Sequence, residues 1–96
     1  DGQGDDNNIP DFNLVSVFPN PASDTTTLRL NVEEEATITV LLSGLFGTIF
    51  LEENLGVLAP GFFETALDLT AVPPGTYFLQ VRSLDTVQTV LLVVAR

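Results

Sequence analysis

Apolar and polar residues alternate along most of the chain after Phe12, and turn-forming residues interrupt the alternation at short intervals. Because successive side chains of a β-strand point to opposite faces, this period of two predicts strands with one face in a core and the other in solvent. The clearest example is residues 25–32, where the side chains predicted to face the core are those of Thr26, Leu28, Leu30 and Val32.

Seven segments carry this pattern, and we predict a strand in each: residues 14–18, 25–32, 36–42, 48–53, 62–69, 76–83 and 86–94. Pro or Gly recurs between the segments and β-branched residues are frequent within them, which disfavours long helices. Short strands at this spacing are typical of an all-β, immunoglobulin-like two-sheet antiparallel sandwich. A small barrel is the alternative fold.

The inner faces of three further strands follow from the same alternation. The side chains predicted to face the core are Ile38, Val40 and Leu42, then Phe63, Thr65, Leu67 and Leu69, and finally Tyr77, Leu79 and Val81. The step from Pro74 to Tyr77 resembles the tyrosine corner of such sandwiches, in which the phenol bonds back to upstream backbone. We therefore predict that Tyr77 is mostly buried and that its hydroxyl pairs with a backbone group of residues 68–74.

The last predicted strand is apolar on both faces, so alternation does not assign them. We expect Val87, Thr89, Leu91 and Val93 to face the core, which places Val90, Leu92 and Val94 on the outer face. Those three outer side chains then need cover. The cover is either the predicted crossing loop 54–61 or a partner, a neighbouring copy or a receptor.

Two other segments are predicted to lie outside the strands. Three adjacent carboxylates, Glu33 to Glu35, favour a solvated hairpin loop. Residues 1–12 are rich in Gly, Asn and Asp and predict a flexible acidic linker, followed by one domain at 13–96. A calcium loop in the linker is disfavoured, because Asp6 and Phe12 replace the Gly and Glu that an EF-hand needs. We take the chain to be the C-terminal part of a longer protein.

Composition narrows the possible chemistry. The chain has 3 Lys plus Arg against 13 Asp plus Glu, a formal charge of −10, and it contains neither His nor Cys. A strongly acidic chain repels phosphate backbones, so we expect no nucleic-acid partner. The commonest general base and the thiolate and imidazole metal ligands are absent, so we expect no catalytic site, cofactor or metal. Glu64 and Asp68 lie on a predicted solvent face with no orienting group beside them.

Three motifs occur in order along the chain. The first, residues 17–24, contains Phe18 followed by Pro19-Asn20-Pro21. The second, residues 69–81, contains Pro74-Gly75-Thr76-Tyr77, and the third, residues 88–96, is the closing apolar strand with a terminal basic residue. Together they resemble the type A C-terminal sorting domains of cargo of the type IX secretion system in Bacteroidetes-like bacteria, over about residues 14–96. The matching positions are Pro19, Asn20, Pro21, Pro74, Gly75, Tyr77, Leu92, Val93, Val94 and Arg96.

The resemblance implies a non-catalytic signal for export. Its partners would be the outer-membrane translocon, a sortase-like peptidase that cuts within residues 1–13, and the parent cargo domain upstream. The parent would pass through the periplasm and end at the cell surface or in the medium.

Two alternatives remain open from the residues alone. One is a carbohydrate-binding module, which one Tyr, seven Phe and no Trp disfavour, since sugars stack on exposed aromatic rings. The other is a structural or adhesion domain, which could form a homodimer through exposed strands.

Overall fold

The computed structural model describes residues 10–96, and within this range the chain forms seven strands and no helix. The strands are β1 (Phe12–Phe18), β2 (Thr25–Val32), β3 (Ala36–Ser43), β4 (Ile49–Leu58), β5 (Gly61–Asp68), β6 (Gly75–Arg82) and β7 (Val87–Val94). They form an antiparallel three-stranded sheet in the order β1-β2-β5 and an antiparallel four-stranded sheet in the order β4-β3-β6-β7. The predicted immunoglobulin-like sandwich is confirmed, and the barrel is wrong.

The core lies between the two sheets, where the predicted inner faces of β2, β3, β5 and β6 meet. Side chains with no exposed surface are Phe12, Thr26, Leu28, Leu30, Ile38, Val40, Leu42, Leu67, Leu69, Leu79, Val81 and Leu92. Apolar side chains removed from water in this way supply the main driving force for folding. Over the described residues no helix is long and apolar enough to cross a membrane.

Strand β4 is longer than predicted, and the crossing loop 54–61 is wrong. The strand continues to Leu58, which is buried and pairs with Ala36. Gly56 has a positive φ of 77° and lies at a register shift, so a bulge accommodates the glycine inside the strand. Only Ala59 and Pro60 then separate β4 from β5.

The predicted hairpin at residues 33–35 is also wrong. All three glutamates are exposed, as expected, but β2 and β3 belong to different sheets, so the segment crosses between them. The backbone N–H groups of Glu33 and Glu34 both donate to the carbonyl of Asp11. Alternation shows which side chains share a face of a strand, but it does not show which strands pair. The sequence pattern therefore could not distinguish a hairpin from a crossing between the two sheets.

The faces of β7 are the reverse of the prediction. Leu92 and Val94 are buried and Val90 packs partly against the core, whereas Val87, Thr89 and Leu91 are exposed. Pairing with β6 decides this, because Leu92 lies opposite Tyr77 and Val90 opposite Leu79. The proposed outer patch of Val90, Leu92 and Val94 therefore does not exist.

The first strand begins at Phe12, two residues earlier than predicted, and this side chain is fully buried. The preceding Asp11 accepts a hydrogen bond from Ser83 Oγ at 2.8 Å, and its N–H donates to Thr86 Oγ1 at 3.1 Å. Residues 1–9 of the predicted linker, including the calcium-loop alternative, lie outside the described residues.

Strands β1 and β7 are edge strands of different sheets, and they lie side by side in parallel. Gln88 contacts the backbone of Phe12 and Leu14 near the beginning of β1, whereas Asn20, just beyond β1, contacts the end of β7. Residue 11 and the loops 33–35, 59–60 and 83–86 consequently share one end, here called the N-terminal end. Residues 19–24, 44–48, 69–74 and 95–96 lie at the opposite, C-terminal end.

Candidate functional site

The three sequence motifs meet at the C-terminal end of the sandwich. Residues 18–24 leave β1, residues 69–77 connect β5 to β6, and residues 91–96 finish β7. Hydrogen bonds between them join residues more than 70 positions apart. We call this group of three segments the motif junction.

The Pro19-Asn20-Pro21 segment covers the free edge of β7. The Asn20 amide donates from Nδ2 to the carbonyl of Leu91 at 2.9 Å and accepts at Oδ1 from the N–H of Val93 at 3.0 Å. Proline has no N–H to donate, so the asparagine side chain supplies the donor and acceptor that a paired strand would offer. Both residues beside Asn20 are prolines, which makes the side chain the main source of polar contacts here.

Backbone pairing continues the contact at Ala22, which is buried. Its N–H donates to the carbonyl of Val93 at 2.7 Å, and its own carbonyl accepts from the N–H of Ala95 at 2.8 Å. The hydroxyl of the fully buried Thr26 donates to the carbonyl of Pro19 at 2.8 Å, so this polar group has a partner. The first motif is thus fixed to both β2 and β7.

Tyr77 occupies the predicted tyrosine corner. It is 5% exposed, and its hydroxyl donates to the carbonyl of Pro73, which confirms the prediction. The ring meets that of Phe50 edge to face at a centroid distance of 5.1 Å. Gly75 begins β6 opposite Val94, and Pro74 is exposed immediately before it. The second motif therefore places a rigid, exposed turn beside the end of β7.

Arg96 connects all three segments of the junction. Its guanidinium donates to the carbonyl of Val72 at 2.9 Å, to the carbonyl of Leu69 at 2.5 Å and to Asp24 Oδ1 at 3.1 Å. The N–H of Val72 donates to the carbonyl of Leu69 at 2.9 Å and closes a turn, and the guanidinium reaches both carbonyls of this turn. The planar guanidinium has five N–H donors and can bond three acceptors at once. A lysine ammonium is a compact point charge and cannot reach three acceptors that lie so far apart.

Burial divides the predicted positions into two sets. Tyr77, Leu92 and Val94 are buried, and Val93 is half-buried. The exposed positions are Pro19, Asn20, Pro21, Pro74, Gly75 and Arg96. Sequence reasoning missed Asp24 and the carbonyls of Leu69 and Val72, since no local pattern shows which residues lie beside Arg96.

Charge is distributed unequally over the molecule. At the N-terminal end five carboxylates lie on or beside the loops: Asp11, Glu33, Glu34, Glu35 and Asp85. The C-terminal end has Asp24, which pairs with Arg96, and Asp68. Hydrogen bonds from the N–H and hydroxyl of Thr70 lower the pKa of Asp68 below its usual value. Among residues 10–96, no three of His, Cys, Asp and Glu come together in a group that could hold a metal ion.

Comparison with known families gave one match that covers most of the chain. The family model described as a secretion system C-terminal sorting domain matches residues 16–95. It includes the first two motifs completely and the third up to Ala95, and it confirms the resemblance found in the sequence. No curated protein matches the chain.

Proposed function

Because the chain belongs to the family of secretion system C-terminal sorting domains, we propose that it directs a parent protein, attached on its N-terminal side, through the type IX secretion system. The domain acts as a signal and carries out no chemistry of its own. The motif junction is the part that the secretion machinery recognises.

The observation that carries this proposal is the convergence of the motifs in the folded state. Asn20 and Arg96 each bind backbone groups of segments far away in sequence. An unfolded chain would contain the same motif residues but would not form the motif junction. The signal is therefore the assembled junction, and a short C-terminal peptide would not replace it.

Burial assigns different tasks to the motif positions. Tyr77, Leu92 and Val94 are inside the sandwich and act by stabilising it, since a partner cannot reach them. Pro19, Pro21 and Pro74 are exposed on the same end and are available to a receptor. Proline limits backbone freedom, so a receptor that binds these residues orders little additional chain.

The direction of β1 and β7 separates the parent from the junction. The parent connects before residue 10, at the N-terminal end, whereas the junction lies at the other end of β1. A strand rises about 3.3 Å per residue, so the seven residues of β1 place roughly 20 Å between the two. In this arrangement the parent leaves the junction accessible while it passes from the periplasm to the cell surface or the medium. A sortase-like peptidase can then cut the chain before β1, which begins at Phe12, without contacting the junction.

The proposal is tested by fusing residues 1–96 to a periplasmic reporter in a host that carries the type IX secretion system. We expect the reporter at the cell surface or in the medium, and we expect an Arg96→Ala fusion to accumulate in the periplasm. The host's own cargo serves as the internal control. A folded wild-type fusion that stays in the periplasm while the host's cargo is exported would contradict the proposal.

A further inference from the structure

The outer face of the four-stranded sheet carries a row of exposed apolar side chains near the C-terminal end. Ile49 of β4 lies opposite Ser43 of β3, Ser43 opposite Phe78 of β6, and Phe78 opposite Leu91 of β7. Residues directly opposite on neighbouring strands have Cβ atoms about 5 Å apart, so these four form one line across the sheet. We call Ile49, Phe78 and Leu91 the apolar row.

All three side chains of the row are open to solvent. Ile49 is 56% exposed, Phe78 38% and Leu91 53%. Half-buried Val93 of β7 and Leu41 of β3 lie next to the row on the same face. Large apolar side chains that line up on one sheet face mark an interaction surface more often than isolated ones do.

The other sheet presents its exposed apolar side chains singly. Its outer face carries Arg29, Asn31, Glu64 and Asp68, and Arg29 Nε lies 3.4 Å from Glu64 Oε2. Val15, Phe18 and Phe62 are also exposed on this sheet, but Phe18 lies opposite Thr27 and Phe62 opposite Asn31. The apolar row differs because Phe78 and Leu91 lie directly opposite each other.

The row is continuous with the motif junction. Leu91 contributes its side chain to the row and its carbonyl to Asn20, so the two surfaces share a residue. No charged side chain belongs to the row, although exposed Glu52 lies opposite Leu41 on the same face, and five further carboxylates lie at the opposite end of the sandwich. An occupant that covers the row itself must therefore offer an apolar surface.

The size of the row argues against a second copy as the occupant. The apolar row and the neighbouring line of side chains that includes Leu41 and Val93 cross four strands spaced about 4.8 Å apart. The surface that they cover is roughly 300 Å², well below the ~800 Å² that each partner buries in a stable complex. Adding the exposed prolines of the junction enlarges the surface toward that range. One partner that covers both surfaces satisfies these conditions.

We infer that the receptor of the motif junction also binds the apolar row through an uncharged apolar surface of its own. This inference rests on the proposed function, and it adds contacts of side chains that are not among the matched motif positions. Ile49 and Phe78 then determine affinity for the secretion machinery although Ile49 lies outside all three motifs.

The test compares two sets of surface substitutions in the full 1–96 reporter fusion. The row variant is Ile49→Thr, Phe78→Thr and Leu91→Thr, and threonine keeps a high preference for strands. The control variant is Val57→Thr and Phe62→Thr, which removes exposed apolar side chains, 63% accessible in each case, at the N-terminal end. Thermal unfolding of the purified variants checks that both fold, and the single variant Ile49→Thr serves if the triple variant does not.

We expect the row variant to be exported at least about tenfold less efficiently than wild type, since loss of buried apolar contacts at a binding surface weakens affinity by about that factor or more. We expect the control variant to be exported normally. Equal export of the wild type and the folded row variant would overturn the inference and leave the proposed function intact.

Two further measurements address other occupants. Sedimentation of the purified chain that shows a dimer broken by the row substitutions, with export unchanged, would assign the row to a second copy and overturn the inference. Binding of the wild type, and not of the row variant, to phosphatidylethanolamine and phosphatidylglycerol vesicles would assign the row to a membrane surface and would also overturn the inference. A wild-type fusion that is never exported would overturn the proposed function and the inference together.

Discussion

The two ends of this sandwich are built in different ways. At the C-terminal end, Asn20 and Arg96 each donate to the backbone of a distant segment. At the N-terminal end, the glutamates of residues 33–35 are exposed, and carboxylates predominate among the charged groups of the loops. The C-terminal end is held by directional hydrogen bonds, whereas the side chains of the N-terminal loops are largely solvated. The same type of substitution should therefore change the free energy of unfolding more at the C-terminal end.

The largest difference is expected for arginine. Arg96→Ala removes three hydrogen bonds and leaves the carbonyls of Leu69 and Val72 without this partner, which should lower the free energy of unfolding by about 2 kcal/mol. Arg82→Ala, at the other end of the sheet, should change it by less than about 0.5 kcal/mol, because Arg82 is exposed. Urea unfolding of both variants measures the difference, and equal losses would show that the two ends are alike.

A smaller loss of stability is expected for Asn20→Ala, and a second variant, Asn20→Asp, separates the contribution of the side-chain donor from that of the acceptor. Asn20→Ala removes a donor and an acceptor from the edge of β7, which should cost about 1–2 kcal/mol. Asn20→Asp keeps an acceptor for the N–H of Val93 but places a carboxylate oxygen, which cannot donate, against the carbonyl of Leu91, so at neutral pH its cost should be at least as large as that of Asn20→Ala. Asn13→Ala is the control, since Asn13 contacts the exposed Glu33 only at 3.3 Å. The same urea series applies, and an Asn20→Ala loss no larger than the Asn13→Ala loss would contradict the role of Asn20.

The smallest effect is expected for the glutamates. Replacing Glu33, Glu34 and Glu35 by Gln together relieves repulsion among exposed like charges, so the free energy of unfolding should rise by about 0.5 kcal/mol at low salt and by less at high salt. Thermal unfolding at two salt concentrations measures this change. A loss of stability would mean that the hydrogen bonds of Asn13 and Asn31 to the Glu33 carboxylate outweigh the repulsion, and a loss of export would place recognition at the N-terminal end.

Sequence pattern predicted the parts of the fold in which one face is clearly apolar. The bounds of β2 and the inner faces of β3 and β6 are confirmed, because every second residue of each strand, on its inner face, is apolar, apart from Thr26 in β2. In β7 both faces are apolar, so only its pairing with β6 determines that Leu92 is inside. The sequence contains no local signal for that pairing.

The candidate site was predicted to the same limited extent. The motif positions came from the resemblance to the sorting-domain family, and residues close together in the chain predicted that the Tyr77 hydroxyl pairs with backbone of residues 68–74, where it contacts Pro73. The contacts of Asn20 and Arg96 could not, because they join segments that only the two-sheet topology brings together. The motif residues can be found in the sequence, but the motif junction that they form exists only in the folded domain.

The parallel course of β1 and β7 has a mechanical consequence. Tension applied between residue 11 and Arg96 pulls these two strands past each other along their length. The contacts of Gln88, Asn20 and Ala22 then bear the load simultaneously instead of opening in sequence. Because contacts loaded in shear must break together, traction on the parent is resisted by all of them at once, and the domain resists unfolding more than it would if they opened one by one.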